Sequence, residues 1–350
     1  MSRLMELRGV AWAAGLIVAL GACNGDALTT PPGDRTERVA VVLNSGSRTL
    51  TVVPVTEADP RPRSVSLGAM GTPTTLAVRG ERAVVPMGTY AAALVVDLNL
   101  GTVLHTVPLP AGSGATGVAF LNDSVAVVAN PGLNSVTPVN VLRGTAGAQV
   151  RVGPFPHVVR MIRARLFVLG GTQSSLVPSA PGSMWVLDAQ LRVTVGVLMP
   201  GVEPRDIVPR GDRFLVLGAA SPGGAGTVAL HDTTTLIRTD LLLGFGTLPS
   251  SMAVDARGDL WVGVPGTGIL LYSVGSRSFA RPLDNPVRPE NLSGVSRVTT
   301  DPAGLVYALY PGACTEPGVL MRLSPLGEVA GRAGTGVCPV DVGFTDLSRE

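Results

Sequence analysis

From Arg38 onward the chain consists of short apolar runs separated by turn residues, and one kind of run keeps returning. RVAVVL begins at position 38, RAVVP at 82, SVAVVA at 124, RLFVLG at 165, RFLVLG at 213, DLWVGV at 259 and LVYALY at 305. Their start-to-start spacings are 44, 42, 41, 48, 46 and 46 residues. Runs of this length, rich in β-branched residues and bounded by Gly, Pro, Asn and Asp, predict strands rather than helices. A steady period of this size marks a propeller or a solenoid.

A second run precedes six of these, often opened by proline or glycine. PTTLAV ends at 78, ATGVAF at 120, PHVVRM at 161, PRDIVP at 209, PSSMAV at 254 and SGVSRVT at 299. A third run follows each, as in ALVVDL and GILLYSV, and a weaker fourth appears at 64–67 and 148–152. Four strands per unit is one propeller blade, with strands A to D counted from the hub outward. The first unit lacks an A strand. The final run, PVDVGF ending at 344, is an A strand with no B, C or D. These two fragments complete one blade, so the pattern predicts an all-β, seven-bladed propeller of four-stranded antiparallel blades. The ring is expected to close by 340–344 pairing beside 38–43, which leaves no open end.

The N-terminal region follows different rules. Residues 10–20 are continuously apolar behind Arg3 and Arg8. Eleven helical residues rise only about 16 Å, far less than a hydrocarbon core of about 30 Å, so the run fits a leader and not a permanent span. Leu20-Gly21-Ala22-Cys23 follows. It resembles the lipobox of bacterial lipoproteins, which implies lipidation of the Cys23 sulfur and cleavage just before it; the competing reading is a plain secretory signal that happens to contain a cysteine. The expected organisation is a signal peptide over 1–22, a Gly/Pro/Thr-rich tether over 23–36 and a propeller over 37–350. The expected location is the bacterial cell envelope, exported and lipid-anchored at the periplasmic face or the cell surface.

Composition narrows the partners. Charged residues make up 15%, net charge is +2, and every basic residue other than histidine is arginine. No basic tract tracks a phosphate backbone, so no nucleic-acid partner is expected. Aromatics at 4% argue against a stacking platform for bases or sugars. The 44 glycines and 29 prolines fit many turns between short strands.

The unit at 123–161 resembles the YVTN-type β-propeller repeat. The matching pieces are Val127-Val128-Ala129-Asn130 on strand B, Asn134-Ser135-Val136 at the following turn, and Val152-Gly153-Pro154-Phe155-Pro156 after strand D. Asp301-Pro302-Ala303-Gly304 is similar to the Pro-Asp-Gly turn between A and B strands of that family. The resemblance spans about residues 37–344 and implies the fold. Propellers host binders, scaffolds and enzymes alike, so it implies no single activity.

Because strands alternate up and down, B–C turns and D–A connections emerge on one face, and A–B and C–D turns on the other. Cys314 lies in a B–C loop and Cys338 in the next D–A connection. In an exported protein they are expected to form a disulfide; the competing reading is two separate buried thiols. The longer B–C segments, 170–183 and 218–226, fall on that same face. Residues opening the A strands point there, and His157, Arg205, Asp206, Ser250 and Asp341 are the expected channel-mouth binding residues. The competing reading is that they only satisfy backbone groups around the channel. The three histidines are scattered over three units, without metal-ligand spacing, so no metal and no cofactor is expected. The leading function is a lipid-anchored binding or scaffolding module for an envelope protein or small ligand, monomeric and attached to the membrane through its lipid. The alternative is a propeller hydrolase of lactonase type, with carboxylates around a channel Ca²⁺. Asp206 and Asp341 alone would support it.

Overall fold

The computed structural model describes residues 36–56, 60–171, 182–199, 202–220, 225–292 and 294–348. The expected leader, Cys23 and the tether up to residue 35 lie outside the described residues, as do 172–181 and 221–224 of the two longer B–C segments, whereas Thr36, expected as the end of the tether, already belongs to the first strand. The described chain forms seven antiparallel blades. Blade 1 contains β1 (Thr36–Asn44), β2 (Thr49–Pro54) and β3 (Arg63–Ser66), and blade 2 contains β4 (Ala77–Arg79), β5 (Arg82–Pro86), β6 (Ala92–Asp97) and β7 (Thr102–Pro108). Blade 3 is β8 (Thr116–Phe120), β9 (Val125–Asn130), β10 (Ser135–Asn140) and a split outer strand, β11 (Thr145–Ala146) and β12 (Val150–Arg151). Blade 4 is β13 (Pro156–Ile162), β14 (Arg165–Gly170), β15 (Gly182–Leu187) and β16 (Val193–Met199). Blade 5 is β17 (Val202–Arg210), β18 (Arg213–Ala220), β19 (Thr227–Asp232) and β20 (Arg238–Leu243). Blade 6 is β21 (Ser251–Val254), β22 (Leu260–Val264), β23 (Gly268–Ser273) and β24 (Ser278–Arg281). Blade 7 is β25 (Arg297–Thr300), β26 (Val306–Tyr310), β27 (Pro317–Leu323) and β28 (Val329–Val337). The last strand, β29 (Pro339–Ser348), returns to blade 1 and pairs with β1.

The closing ladder is longer than the sequence pattern suggests, running from Thr36 opposite Ser348 to Leu43 opposite Asp341, with a shift before Asn44 meets Pro339. Arg38 and Asp346 face each other in this register and form an ion pair at 3.1 Å.

The B strands read as unbroken apolar runs because both of their faces are buried. Side chains alternate across a strand. On β1, Val39, Val41 and Leu43 pack into the seam with blade 2, while Ala40 and Val42 pack into the seam with blade 7. The same division recurs around the ring, with one apolar cluster filling each seam. Near the hub two glycines permit close approach. A Cβ at Gly117 would sit 2.4 Å from the His157 carbonyl oxygen, and one at Gly343 would sit 2.8 Å from Val78 Cγ2.

Blade 3 departs from the expected continuous D strand over 148–152. Pro138 lies in the middle of β10 and has no N–H to offer an outer neighbour. Its carbonyl accepts from Gly147 N at 2.8 Å, and the outer strand breaks there into β11 and β12.

Cys314 and Cys338 are bonded to each other. The bridge ties the β26–β27 loop to the connection leading into β29, which places B–C and D–A segments on one face as expected. It fastens blade 7 to the entry of the strand that closes the ring.

Candidate functional site

The A strands start on the disulfide-bearing face, and their first residues carry polar side chains that cross the seams. Asp341 on β29 accepts from Leu76 N, just ahead of β4, at 3.0 Å. Asp206 on β17 accepts from Met252 N on β21 at 3.1 Å. Ser251 on β21 accepts from Val298 N on β25 at 2.9 Å. Ser296, ahead of β25, donates to the Pro339 carbonyl at 2.9 Å. Thr74 and Thr116 share a hydroxyl bond at 3.0 Å between blades 2 and 3. A hub strand must leave some backbone N–H groups facing the next blade, and a buried donor without a partner is costly, so a short polar side chain on the neighbouring strand answers it.

The expected channel-mouth residues take four different positions. His157 bridges blades 4 and 5, with Nδ1 3.1 Å from the Phe155 carbonyl and Nε2 2.9 Å from the Pro204 carbonyl. Arg205 donates to Glu203 at 2.9 Å, and Glu203 itself is buried. Ser250 is half-buried and leans on the Gly263 carbonyl. Asp206 and Asp341 are both buried and come together through one guanidinium. Arg297 on β25 lies 3.5 Å from Asp206 Oδ2 and 3.3 Å from Asp341 Oδ1. Arg160 on β13 stands 3.9 Å from Asp206 Oδ1.

This cluster of two arginines and two aspartates sits at the inner end of a hub cavity of about 400 Å³. Arg160 and Arg297 line the cavity; the five channel-mouth residues do not. The rest of the wall comes from the second halves of the A strands, including Ile162, Val208, Val254, Thr300 and Phe344, and from the Asp301-Pro302 turn. The cavity therefore extends toward the tight-turn face.

Burial lowers the Arg160 pKa from its ordinary value, and the neighbouring Arg297 charge pushes the same way, against Asp206 and Asp341. Burial also works against charge on Arg297, but the two carboxylates outweigh it and raise its pKa. Both groups remain guanidinium ions at any ordinary pH. Each aspartate also accepts a backbone N–H from the residue after it, Ile207 or Val342, at 3.0 Å.

Sequence reasoning found Asp206 and Asp341 as carboxylates opening hub strands. It passed over Arg160 and Arg297, although each interrupts an otherwise apolar A strand, in PHVVRM and SGVSRVT. That interruption is the available signal. Ser251, next to the expected Ser250, is the serine that crosses the seam.

A channel Ca²⁺ of the lactonase kind needs several oxygen ligands free to converge. Among the described residues no three His, Cys, Asp or Glu side chains form such a group. Asp206 and Asp341 face backbone donors and a guanidinium, so the residues present do not fit that ion.

No protein-family model and no curated protein sequence matches the chain. Solved structures do. The chain is similar to a protein from Lactobacillus plantarum, with TM-score 0.66 and 15% identity over 89% of this chain and 100% of that one. It is also similar to hydrazine synthase from Kuenenia stuttgartiensis, with TM-score 0.57 and 16% identity over 77% and 91%. Apo AztD from Citrobacter koseri aligns with TM-score 0.56 and 13% identity over 89% and 99%. At these identities the likeness is one of fold. This chain is a seven-bladed β-propeller.

Proposed function

We propose that this protein is a lipid-anchored β-propeller of the bacterial cell envelope, related to the YVTN type, that binds or scaffolds a protein or small ligand. The observation that carries the binding reading is the hub cavity, where two guanidinium groups stand in an otherwise largely apolar wall of about 400 Å³. That size lies within the range of small-molecule pockets, which pair an apolar lining with a few placed polar groups. The Cys314–Cys338 bond supports an oxidising compartment, since such bonds are rare where thiols are kept reduced. Anchoring rests on Leu20-Gly21-Ala22-Cys23. Acyl chains at one terminus give firm attachment, at about 0.8 kcal/mol per buried methylene.

Two measurements test this reading. Wild-type protein should partition with membranes and Cys23→Ala should not; equal partitioning of the two would refute the anchor. Cross-linking in intact envelopes should capture a specific partner through the strand-start face. Arg205→Glu, which reverses a charge beside the buried Glu203, should reduce that capture. Identical capture by both proteins would move the partner away from this face.

A further inference from the structure

Most arginines in this ring donate to a defined acceptor. Arg38 reaches Asp346, Arg277 reaches Asp240, Arg165 reaches the Thr233 carbonyl and Arg210 the Gly258 carbonyl. Arg160 and Arg297 do not. They pair with aspartates at 3.3–3.9 Å, yet neither donates an aligned hydrogen bond to a described residue; the buried Arg297 Nε stands 3.3 Å from Asp341 Oδ1 without aligning its hydrogen on it. The reason lies in the carboxylates. Each aspartate is oriented by two backbone N–H groups, one on its own strand and one on the next blade. Those four donors fix the aspartates to the seams. The guanidinium groups are left held by charge beside the aspartates, in the wall of the cavity that both arginines line.

The geometry points to a hub binding site for the carboxylate of a small organic acid, clamped between Arg160 and Arg297 with its apolar body lying toward Val254 and Phe344. Three features choose this class. A planar guanidinium fork matches a carboxylate with two parallel N–H···O bonds. Asp301 also lines the cavity, with its Oδ1 held by Ala303 N and Leu305 N of its own turn, so the two arginines and three aspartates sum to −1 and a monoanion is a smaller electrostatic burden than a dianion. The remaining wall, with Ile162, Val208, Val254 and Phe344 against the Thr299 and Thr300 hydroxyls, suits a short apolar body. Burial, and after it the Arg297 charge, lower the Arg160 pKa, and an anion placed between the two arginines would offset the second of these. This assignment rests on the ring being a binding module, and specifically on its hub cavity. It does not depend on lipidation or on the strand-start face.

The test uses the full-length protein in a neutral detergent, titrated by calorimetry with sodium benzoate, sodium hexanoate, benzyl alcohol and sodium sulfate. Saturable one-site binding of benzoate or hexanoate is expected, with no saturable binding of benzyl alcohol. Arg160→Gln should weaken carboxylate binding at least tenfold while keeping the wild-type melting transition, because Arg160 makes no hydrogen bond that holds the fold. Arg160→Lys, which keeps charge and loses the fork, should fall between the two. If wild type binds neither carboxylate saturably, or if folded Arg160→Gln and Arg160→Lys both bind as wild type does, the site is overturned. Sulfate binding more tightly than either carboxylate would overturn the choice of a monoanion. A protein that fails this titration but still captures an envelope partner would refute the hub site alone. Loss of membrane partitioning with intact benzoate binding would refute only the anchor.

Discussion

Deleting residues 339–350 should abolish cooperative folding, and the size of the effect can be worked from the closing strand. Val342 and Leu347 are nearly fully buried, the first in the seam with blade 7 and the second in the seam with blade 2. Full burial of such a side chain contributes about 1.5–3 kcal/mol, so the two together supply roughly 4 kcal/mol. Val340 and Phe344 are partly buried against the same two clusters and add about 2 kcal/mol between them. Deletion also strips the inner edge of β1, which is paired along Thr36–Asn44, at about 1 kcal/mol net for each ladder bond lost. Leu76 N loses its carboxylate acceptor as well. The sum exceeds about 6 kcal/mol before the ladder is counted, against a total domain stability of about 5–15 kcal/mol. Calorimetry and near-ultraviolet circular dichroism on chains ending at Ser348 and at Cys338 would read the difference. The shorter chain should lose its sharp transition and bind a hydrophobic dye, and a peptide of residues 339–348 should restore part of the transition. A chain ending at Cys338 that melts cooperatively within a few degrees of the longer one would refute the closure argument.

Further outcomes follow from particular contacts. Cys314→Ser should cost about 3 kcal/mol through the 24-residue separation it no longer closes. For a domain of about 300 residues that is a melting shift of about 5 °C, absent when both proteins are compared in reductant. Arg297→Met should destabilise by about 3 kcal/mol in urea unfolding, because two buried aspartates lose their guanidinium, whereas Arg160→Gln should cost under about 1 kcal/mol. Burial works against charge on Asp255, but the Trp261 indole N–H at 3.1 Å, Asp259 N and Arg257 outweigh it and hold the carboxyl below the usual range. The unfolded chain therefore takes up the proton first, so stability present above about pH 4 is lost as pH falls through the lower folded value. Asp255→Asn should flatten that acid limb when Trp261 fluorescence is followed. Gly117→Val should destabilise by about 1–3 kcal/mol, since the side chain would meet the His157 backbone; a melting point within 1 °C of wild type would contradict the close approach.

Much of the ring was legible because a propeller repeats one local solution. Each B strand is buried on both faces, so it is written as an unbroken apolar run, and the run recurs whenever a new seam is built. The break in blade 3 was less visible, since it depends on what pairs outside Pro138 rather than on the outer strand's own residues. The hub was only half legible. Carboxylates that open a strand are conspicuous, and Asp206 and Asp341 stood out on that ground. Their convergence on Arg297 was not conspicuous, because the residues meeting across a channel come from blades far apart in sequence. A guanidinium in an apolar A strand also looks like a solvated edge residue until the radius of the hub is known.

The hub cluster and the closure of the ring share residues, and this limits how either can vary. Asp341 is carried by the closing strand, pairs opposite Leu43, reaches the next blade at Leu76 N and faces Arg297 from the blade before. One side chain thus joins blades 7, 1 and 2 at the point where the first and last described strands pair. Asp206 does the same for blades 5, 6 and 7 through Met252 N and Arg297. Arg297 therefore links the two latches, and its position is set by seams on either side rather than by its own strand. A cation fixed in this way needs no rearrangement to meet an anion, since the ordering cost is met by ring closure. By the same logic, a disturbance at the Cys314–Cys338 end of the closing strand should be felt at the hub. Pro339, which follows the disulfide directly, accepts from Ser296 immediately before Arg297, so the bridge and the guanidinium are joined through two residues and one hydrogen bond.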